Sequence, residues 1–184
     1  PASRDRLGEA AIAERIQIID GIPPESVRIK VGSGVQAVSD ARIAFWEAIA
    51  TGARNAVFEA PGRRLTQELR ALGETAGIIT RNQALFMPMR PRAAGVSSID
   101  GGGGAPVEVK LMESRDALVI VALNRATAPR KVTITFNPDI PEAIWQNMES
   151  GTSIDFVMSQ KGPVFDHTFG PRDALVLMTR KRFR

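Results

Sequence analysis

Cysteine and tyrosine are absent from this 184-residue sequence, and histidine occurs once. Without cysteine, the chain can form no disulfide and offers no thiolate to a metal ion. A single histidine excludes a His-x-x-x-His zinc pair, and it could complete a metal site only together with several carboxylates. We therefore predict no metal site and no cofactor.

Long apolar runs are also missing. No stretch approaches the roughly 20 apolar residues that cross a bilayer, and the amino-terminal "PASRDRLGEA" is charged where a signal peptide is apolar. We therefore predict no membrane association. The first residue is proline, which is compatible with a processed product or a fragment, and both a cytoplasmic and an exported location stay open.

The charge balance is moderately basic, with 24 Lys and Arg against 20 Asp and Glu. Part of the excess lies in the final "RKRFR", a tail that can bind phosphate or nucleic acid but that more often is simply solvated. Because the other basic residues are dispersed and aromatic residues are few, nucleic acid is not the expected partner. These patterns predict no particular oligomeric state.

The first half of the chain, residues 1–92, alternates helical and strand patterns. A helix is predicted over 4–18, followed by the alternating strand "VRIKVG" at 27–32. The next helix, "DARIAFWEAIATG", is expected to be capped by Ser39 and to end at Gly52. Its apolar face is wide, so it must pack on something large.

The strand "NAVFEA" and one or two helices before Pro88 complete this half, with Gly77 as a predicted helix break. Strands separated by helices usually pair in parallel through right-handed crossovers. Since a parallel sheet is normally covered on both faces, two such strands need further strands from elsewhere. The predicted fold class is therefore mixed: a partial α/β segment with a β-α-β-α order, followed by an all-β domain.

The second half has a different pattern. Residues 93–106 are rich in glycine and lack apolar periodicity, which predicts a linker. Residues 107–184 contain seven short strand patterns, as in an antiparallel sandwich of immunoglobulin-like size. The continuous apolar run "ALVIVAL" predicts the central strand, and the lone His167 is interpreted as structural. Three aromatic residues are expected in the core: Trp145, Phe156 and Phe169.

Two longer segments carry a family resemblance. The first is "FWEAIATGARNAVFEAP", and the second is "LVIVALNRATAPRKVTITF", in which a strand ends in Leu-Asn before its partner begins. Their order resembles the carboxyl-terminal end of barrel-type glycoside hydrolases, where the last units of a (β/α)8 barrel lead into a small β-sandwich. The resemblance covers nearly the whole chain. It implies a hydrolase parent in which about three quarters of the barrel lies outside this sequence.

Glu59 closes the strand "NAVFE". Active sites of barrels lie at the carboxyl ends of strands, so the resemblance makes Glu59 the candidate catalytic residue, for acid–base work or substrate contact. Glycosidases generally use two carboxylates, and this sequence offers only one acidic residue at such a position. The alternative interpretation is that Glu59 caps the following helix or pairs with Arg63.

The loop "KVGSGVQAVSD" also lies between a strand and a helix. Its residues Gly32, Ser33 and Gly34 are candidate substrate-binding residues, because glycines let backbone amides approach an anion closely. The loop matches neither a P-loop nor a dinucleotide fingerprint, so a plain turn is the alternative.

Two functions stay open at this point. In the first, the chain is the carboxyl-terminal portion of a glycoside hydrolase-like protein and is inactive alone; its sandwich supports the barrel or contacts carbohydrate. Its partner is then the missing amino-terminal barrel portion or a partner chain. In the second, the chain is a non-catalytic carbohydrate- or protein-binding module, which an exposed aromatic platform at Trp145 or Phe156 would favour.

Overall fold

A computed structural model describes residues 26–31, 35–53, 55–59, 66–101, 107–141 and 144–181. The helices in these ranges are α1 (Val35–Ala50), α2 (Thr66–Arg81) and α3 (Gln83–Phe86). The strands are β1 (Ser26–Lys30), β2 (Asn55–Glu59), β3 (Arg90–Arg92), β4 (Val96–Asp100), β5 (Glu108–Glu113), β6 (Ala117–Asn124), β7 (Arg130–Phe136), β8 (Ile144–Asn147), β9 (Ser153–Asp155), β10 (Val157–Ser159), β11 (Gly162–Phe169) and β12 (Asp173–Arg180). The helix predicted over 4–18 lies outside the described residues.

The described strands form three sheets. Strands β1 and β2 pair in parallel, as predicted. A six-stranded sheet has the order β3-β5-β6-β12-β8-β9, and a four-stranded sheet has the order β10-β11-β7-β4, with antiparallel pairs throughout both. The fold is therefore mostly antiparallel and consistent with a β-sandwich. The barrel-like character of the first half stays a prediction, because the parallel part described here consists of two strands.

Strand β6 is buried along its whole length, which explains its continuous apolar sequence. Alternate side chains point to opposite faces of a strand. One set belongs to a cluster shared with the helices: Ala117, Val119, Val121 and Leu123. The other set belongs to the cluster between the two large sheets: Leu118, Ile120 and Ala122. The prediction that "ALVIVAL" is an interior strand is confirmed, since β6 lies between β5 and β12.

The cluster between the two large sheets contains the aromatic residues expected in the core. Trp145 and Phe169 are fully buried, and Phe156 is 7% exposed. The rings of Trp145 and Phe156 stack with their centroids 5.0 Å apart, and Phe136 stacks on the other side at 5.2 Å. All three core predictions are therefore confirmed.

Helix α1 provides the layer on the other side of the six-stranded sheet. Its buried residues Phe45, Trp46 and Ile49 share one cluster with residues of β6 and β12 and with Ile29 of β1. The wide apolar face therefore packs on two partners, a large sheet and a parallel strand. After the helix, Gly52 adopts φ +98°, which confirms its predicted role as the terminator.

Two details of the helix predictions are wrong. Helix α1 begins at Val35, so Ser39 lies inside the helix and is not its cap. Helix α2 continues through Gly77 to Arg81, and the break falls at Asn82, whose side-chain amide donates to the Ile78 carbonyl at 2.9 Å. An interior glycine costs only about 1 kcal/mol in a helix, which packing of an apolar face readily offsets.

The predicted linker at 93–106 contains a strand, so that prediction is wrong for β4. Strand β4 pairs with β7, where Ile99 lies opposite Ile134 and Val96 lies opposite Phe136. Two consecutive serines, Ser97 and Ser98, interrupt the apolar alternation in the sequence, and the pairing with β7 has a register irregularity between Val96 and Ser98. Residues 102–106 lie outside the described residues, and the proposed domain boundaries stay predictions.

The segment "SIDFVMS", predicted as one strand, forms two. Strand β9 belongs to the six-stranded sheet and β10 to the four-stranded sheet, with Phe156 between them. The chain crosses between the sheets at Phe156, and its buried ring contacts aromatic residues of both sheets.

Candidate functional site

The carboxyl ends of β1 and β2 lie side by side. In their parallel register, Lys30 is opposite Glu59, and each is the last residue of its strand. Helix α1 begins at Val35, five residues after Lys30, a distance that an extended chain spans in at most about 18 Å. The backbone therefore brings two strand ends and the start of a helix to one end of this unit. The strand pattern "NAVFEA" predicts this placement for the Glu59 backbone, and the structure confirms it.

The other candidate residues at this end, Gly32, Ser33 and Gly34, lie outside the described residues. Their role in substrate binding and the catalytic role of Glu59 both stay predictions. A second carboxylate would be needed beside Glu59 for glycosidase chemistry.

In the ranges that the structure describes, no group of three or more His, Cys, Asp or Glu side chains is arranged to hold a metal ion. None of the described helices combines the length and apolar character needed to cross a bilayer.

A groove of about 480 Å³ is lined by residues of both β1 and α1. Val27 and Ile29 of β1 line one wall, and Val27 remains 38% exposed. The other wall, formed by α1 and the residue that follows it, consists of small or acidic residues: Asp40, Ala41, Ala44, Glu47, Ala48 and Thr51. Apolar and small side chains suit packing against another polypeptide segment better than they suit hydrogen bonding to a sugar.

An ion cluster joins α1 to the sandwich. Arg42 donates from Nε to Oε1 of Glu149 at 2.7 Å, and a second guanidinium nitrogen pairs with the other oxygen of the same carboxylate. Arg42 also donates to Oδ1 of Asp173 at 3.1 Å and to the Ala174 carbonyl at 2.6 Å. Bidentate pairing of this kind is both strong and geometrically specific.

The surroundings of the cluster strengthen it. Burial acts to lower the pKa of Arg42, but the hydrogen bonds and charges of Glu149 and Asp173 outweigh this effect, and the pKa is raised above its usual range. The buried Trp46 indole donates to Oε1 of Glu149 at 3.0 Å. Because Arg42 pairs with two carboxylates and is bidentate to one of them, we expect the cluster to contribute more than a single surface ion pair.

A second ionic group lies further along α1. Arg125 Nη2 is 2.6 Å from Oε1 of Glu47, and Lys110 Nζ is 3.6 Å from the same oxygen. The hydrogen bond from Arg125 is the main reason that the pKa of Glu47 is lowered. Both cations belong to the sandwich half of the chain, so α1 is held to that half by ion pairs in its first and second halves.

His167 occupies a half-buried position between two phenylalanines on β11. Its ring stacks on Phe165 with the centroids 5.5 Å apart and contacts Phe169 edge-on at 4.5 Å. Burial lowers its pKa, while the charge of Asp173 acts in the opposite direction. The predicted shared face of these three residues is confirmed, and their packing is consistent with a structural histidine.

The aromatic platform that would favour a carbohydrate-binding module is not found at the residues considered for it. Trp145 and Phe156 are both buried in the cluster between the sheets, where a sugar ring cannot reach them. Stacking on sugars at these two positions is therefore excluded.

Sequence reasoning missed the Arg42 cluster. Arg42 is separated from Glu149 by 107 residues and from Asp173 by 131 residues. The one available signal is that Arg42 interrupts an apolar helix face one turn before Trp46, which places the two side chains on the same side. The sequence contains no signal that identifies the carboxylates which meet this arginine.

Comparisons with known proteins place this geometry in context. No protein-family model matches the chain, and no curated protein sequence matches it. Among solved structures, the α-amylase from Geobacillus thermoleovorans, complexed with acarbose, matches with a TM-score of 0.56 and 12% identity. The match covers 95% of this chain and 43% of the α-amylase chain. This chain shares its fold with part of an α-amylase.

Two other glycoside hydrolases are similar at lower scores. The GH30 endoxylanase from Clostridium papyrosolvens C71 matches with a TM-score of 0.47 and 13% identity, over 82% of this chain and 41% of its own. The α-fucosidase from Thermotoga maritima matches with a TM-score of 0.46 and 12% identity, over 86% of this chain and 40% of its own. The chain therefore spans less than half the length of each of these three structures.

Proposed function

We propose that this chain is the carboxyl-terminal portion of a glycoside hydrolase-like protein, with the parallel strands contributing to a barrel and the sandwich supporting it. The observation that carries the proposal is the position of α1. This helix packs against the parallel strand pair on one side and against the six-stranded sheet of the sandwich on the other. The fold shared with part of an α-amylase supports the same arrangement.

The parallel pair of β1 and β2 is the part of the molecule that we expect to need further strands. Within the described residues, β1 pairs with β2 alone. Parallel sheets are usually covered on both faces and contain more strands than two. In the proposal, strand-helix units of the missing barrel portion, or of a partner chain, pack along β1 and fill the groove between β1 and α1.

In this arrangement Glu59 acts at the carboxyl end of β2 as a catalytic acid or base or as a substrate contact. The second carboxylate comes from the barrel portion outside this sequence, because glycosidases generally need two. Gly32, Ser33 and Gly34 bind substrate at the end of the neighbouring strand. The chain by itself is catalytically inactive in this proposal.

The test uses the protein encoded by the complete coding sequence, assayed on chromogenic glycosides of glucose, xylose and fucose. We expect Glu59→Gln to reduce kcat/KM at least about a hundredfold, the scale of a lost acid–base group. The matched control is Glu74→Gln, a charge-neutralising change at an exposed position of α2 that should leave kcat/KM unchanged.

Two results would contradict the proposal. Full activity of the Glu59→Gln variant would remove Glu59 from the active site. Turnover of these glycosides by residues 1–184 alone would show that the chain holds a complete active site and does not depend on a missing barrel portion.

A further inference from the structure

Two turns of the sandwich reach the first half of α1. The turn between β8 and β9 presents Glu149 to Arg42, and the start of β12 presents Asp173 to the same arginine. The turn between β11 and β12 presents Arg172, whose guanidinium pairs with Asp40. Asp40 and Arg42, which lie within one turn of the helix, are thus held by three charged side chains that are more than 100 residues away in the sequence.

The turn that carries Glu149 is stabilised by hydrogen bonds of its own. Its neighbour Asn147 accepts hydrogen bonds through Oδ1 from the backbone amides of Glu149 at 2.9 Å and Ser150 at 3.2 Å. The turn closes through the Gly151 amide, which donates to the Asn147 carbonyl at 2.8 Å. These hydrogen bonds restrict the backbone that carries the Glu149 carboxylate. Less conformational entropy is therefore lost when Glu149 pairs with Arg42.

The turn that carries Arg172 and Asp173 is supported in a similar way. Asp173 accepts the Gly170 amide at 3.0 Å, and the buried Asn124 donates to the Gly170 carbonyl at 2.6 Å. The Arg172 amide donates to the Ala126 carbonyl at 2.8 Å. Asn124 is the last residue of β6, and its side chain connects the end of this strand to the turn between β11 and β12.

Arg172 adopts a backbone conformation that favours another residue type. Its φ is +47°, in the left-handed region, where a residue with a Cβ is less stable than glycine. Glycine at this position would relieve that strain. The arginine is therefore better explained by what its side chain contacts, and one such contact is Asp40 of α1.

We propose that Asp40 and Arg42, together with Glu149, Arg172 and Asp173, form a positioning clamp, named here the α1 clamp, that fixes the amino-terminal half of α1 against the sandwich. This half begins at Val35, at the end of the unit where β1 and β2 finish. The clamp therefore holds to the sandwich the helix that begins at this end. Its significance for catalysis rests on the proposed function, whereas its effect on α1 does not.

The test is amide hydrogen exchange on residues 1–184, read by mass spectrometry with peptides that divide α1 into two halves. Arg42→Met removes the guanidinium and keeps an unbranched apolar stem. We expect exchange in the first half of α1 to become roughly tenfold faster or more, because local opening no longer has to break the ionic contacts. Exchange in β6 and in the second half of α1, which packs through Trp46 and Ile49, should change far less.

Two further variants make this test specific. Arg42→Lys keeps the charge but loses the bidentate geometry, so its exchange rate should fall between those of the wild type and Arg42→Met. Arg70→Met makes the same chemical change at an exposed position of α2 and should leave α1 exchange unchanged.

Arg172 provides a variant in which local and overall effects have opposite signs. Arg172→Gly should keep or raise the urea midpoint of the protein, since glycine suits the backbone conformation, while exchange in the first half of α1 becomes faster. Asp40→Asn removes the same ion pair from the helix side and should accelerate exchange in the same peptides. If Arg172 served only overall stability, Arg172→Gly would lower the urea midpoint and accelerate exchange throughout the protein.

The proposal is overturned if Arg42→Met leaves exchange in α1 unchanged, or if exchange rises equally in α1 and β6, which would indicate a general loss of stability. These exchange measurements need no substrate. A failure of the α1 clamp is therefore distinguishable from a failure of the Glu59 assay, which tests the proposed function.

Discussion

The sandwich and the helix layer, defined here as β1, β2 and α1 to α3, differ in how completely each covers its own apolar surface. The sandwich encloses its cluster between two sheets, and Trp145 is fully buried within it. The helix layer has an equally buried Trp46, but its cluster depends on residues of β6 and β12, and an open groove remains beside β1. The cluster between the sheets is formed by sandwich residues alone, whereas the cluster of the helix layer is completed by residues of the six-stranded sheet.

The two tryptophans allow this comparison to be tested directly, because the sequence contains no others and each lies in a different cluster. Replacing one leaves the other as a fluorescent reporter of its own cluster. Emission of the remaining tryptophan then follows unfolding of one region, while ellipticity at the helix band follows the helices.

The largest effect is expected for Trp145→Ala, about 3–5 kcal/mol of unfolding free energy, because a large ring is removed from a packed core. The Trp46 signal should shift to lower urea as well, since α1 packs on the sheet that is being destabilised. The adjacent Ile144, which is 63% exposed, supplies the control: Ile144→Ala should change stability by less than about 0.5 kcal/mol. A Trp46 transition that stays in place would show that the helix layer stands without the sandwich.

Trp46→Ala should have a more local effect. We expect the helix signal to lose about 3–5 kcal/mol, while the Trp145 transition loses only about 1–2 kcal/mol, because the cluster between the sheets keeps all of its members. Urea unfolding followed by both signals measures the two losses in one sample. If both transitions fall by the same amount, the two regions form one cooperative unit and the comparison fails.

The smallest effect concerns pH and the sandwich alone. Burial lowers the pKa of His167 in the folded state, so the unfolded chain binds its proton more readily. The associated stability is fully present above the ordinary value of 6.5 and decreases as pH falls through 6.5 towards the folded pKa. His167→Gln should therefore flatten the fall in urea midpoint between about pH 8 and about pH 5. An unchanged slope in this variant would mean that His167 is not titrating within a buried site.

Local sequence patterns correctly predicted those strands in which the order of apolar and polar residues alone indicates which side chains are buried. The run "ALVIVAL" is buried on both faces, and the alternation in "VRIKVG" places Ile29 and Val31 in the core. Period-two and apolar-run signals depend only on neighbours in sequence, so they survive without knowledge of the fold. The parallel pairing of β1 with β2 followed from the helix between them, through a general topological rule.

Other features could not be predicted because distant residues determine them. Strand β4 exists because β7 offers partners for Val96 and Ile99, and its two consecutive serines interrupt the apolar alternation. Gly77 stays helical because burial of Leu72 and Ile78 on the same helix outweighs its weak propensity. In each case tertiary contacts were stronger than the local preference.

By itself, the sequence determined the antiparallel sheets of the second half, their aromatic core and the placement of Glu59 at the end of a parallel strand, since all three follow from periodicity, chain order and the need to bury apolar surface. Only the tertiary structure decided that α1 is held by Glu149 and Asp173, more than 100 residues away from Arg42. Ion pairs between such distant positions leave no pattern along the chain, because their energy depends on geometry that exists only after the sheets and the helix have packed together.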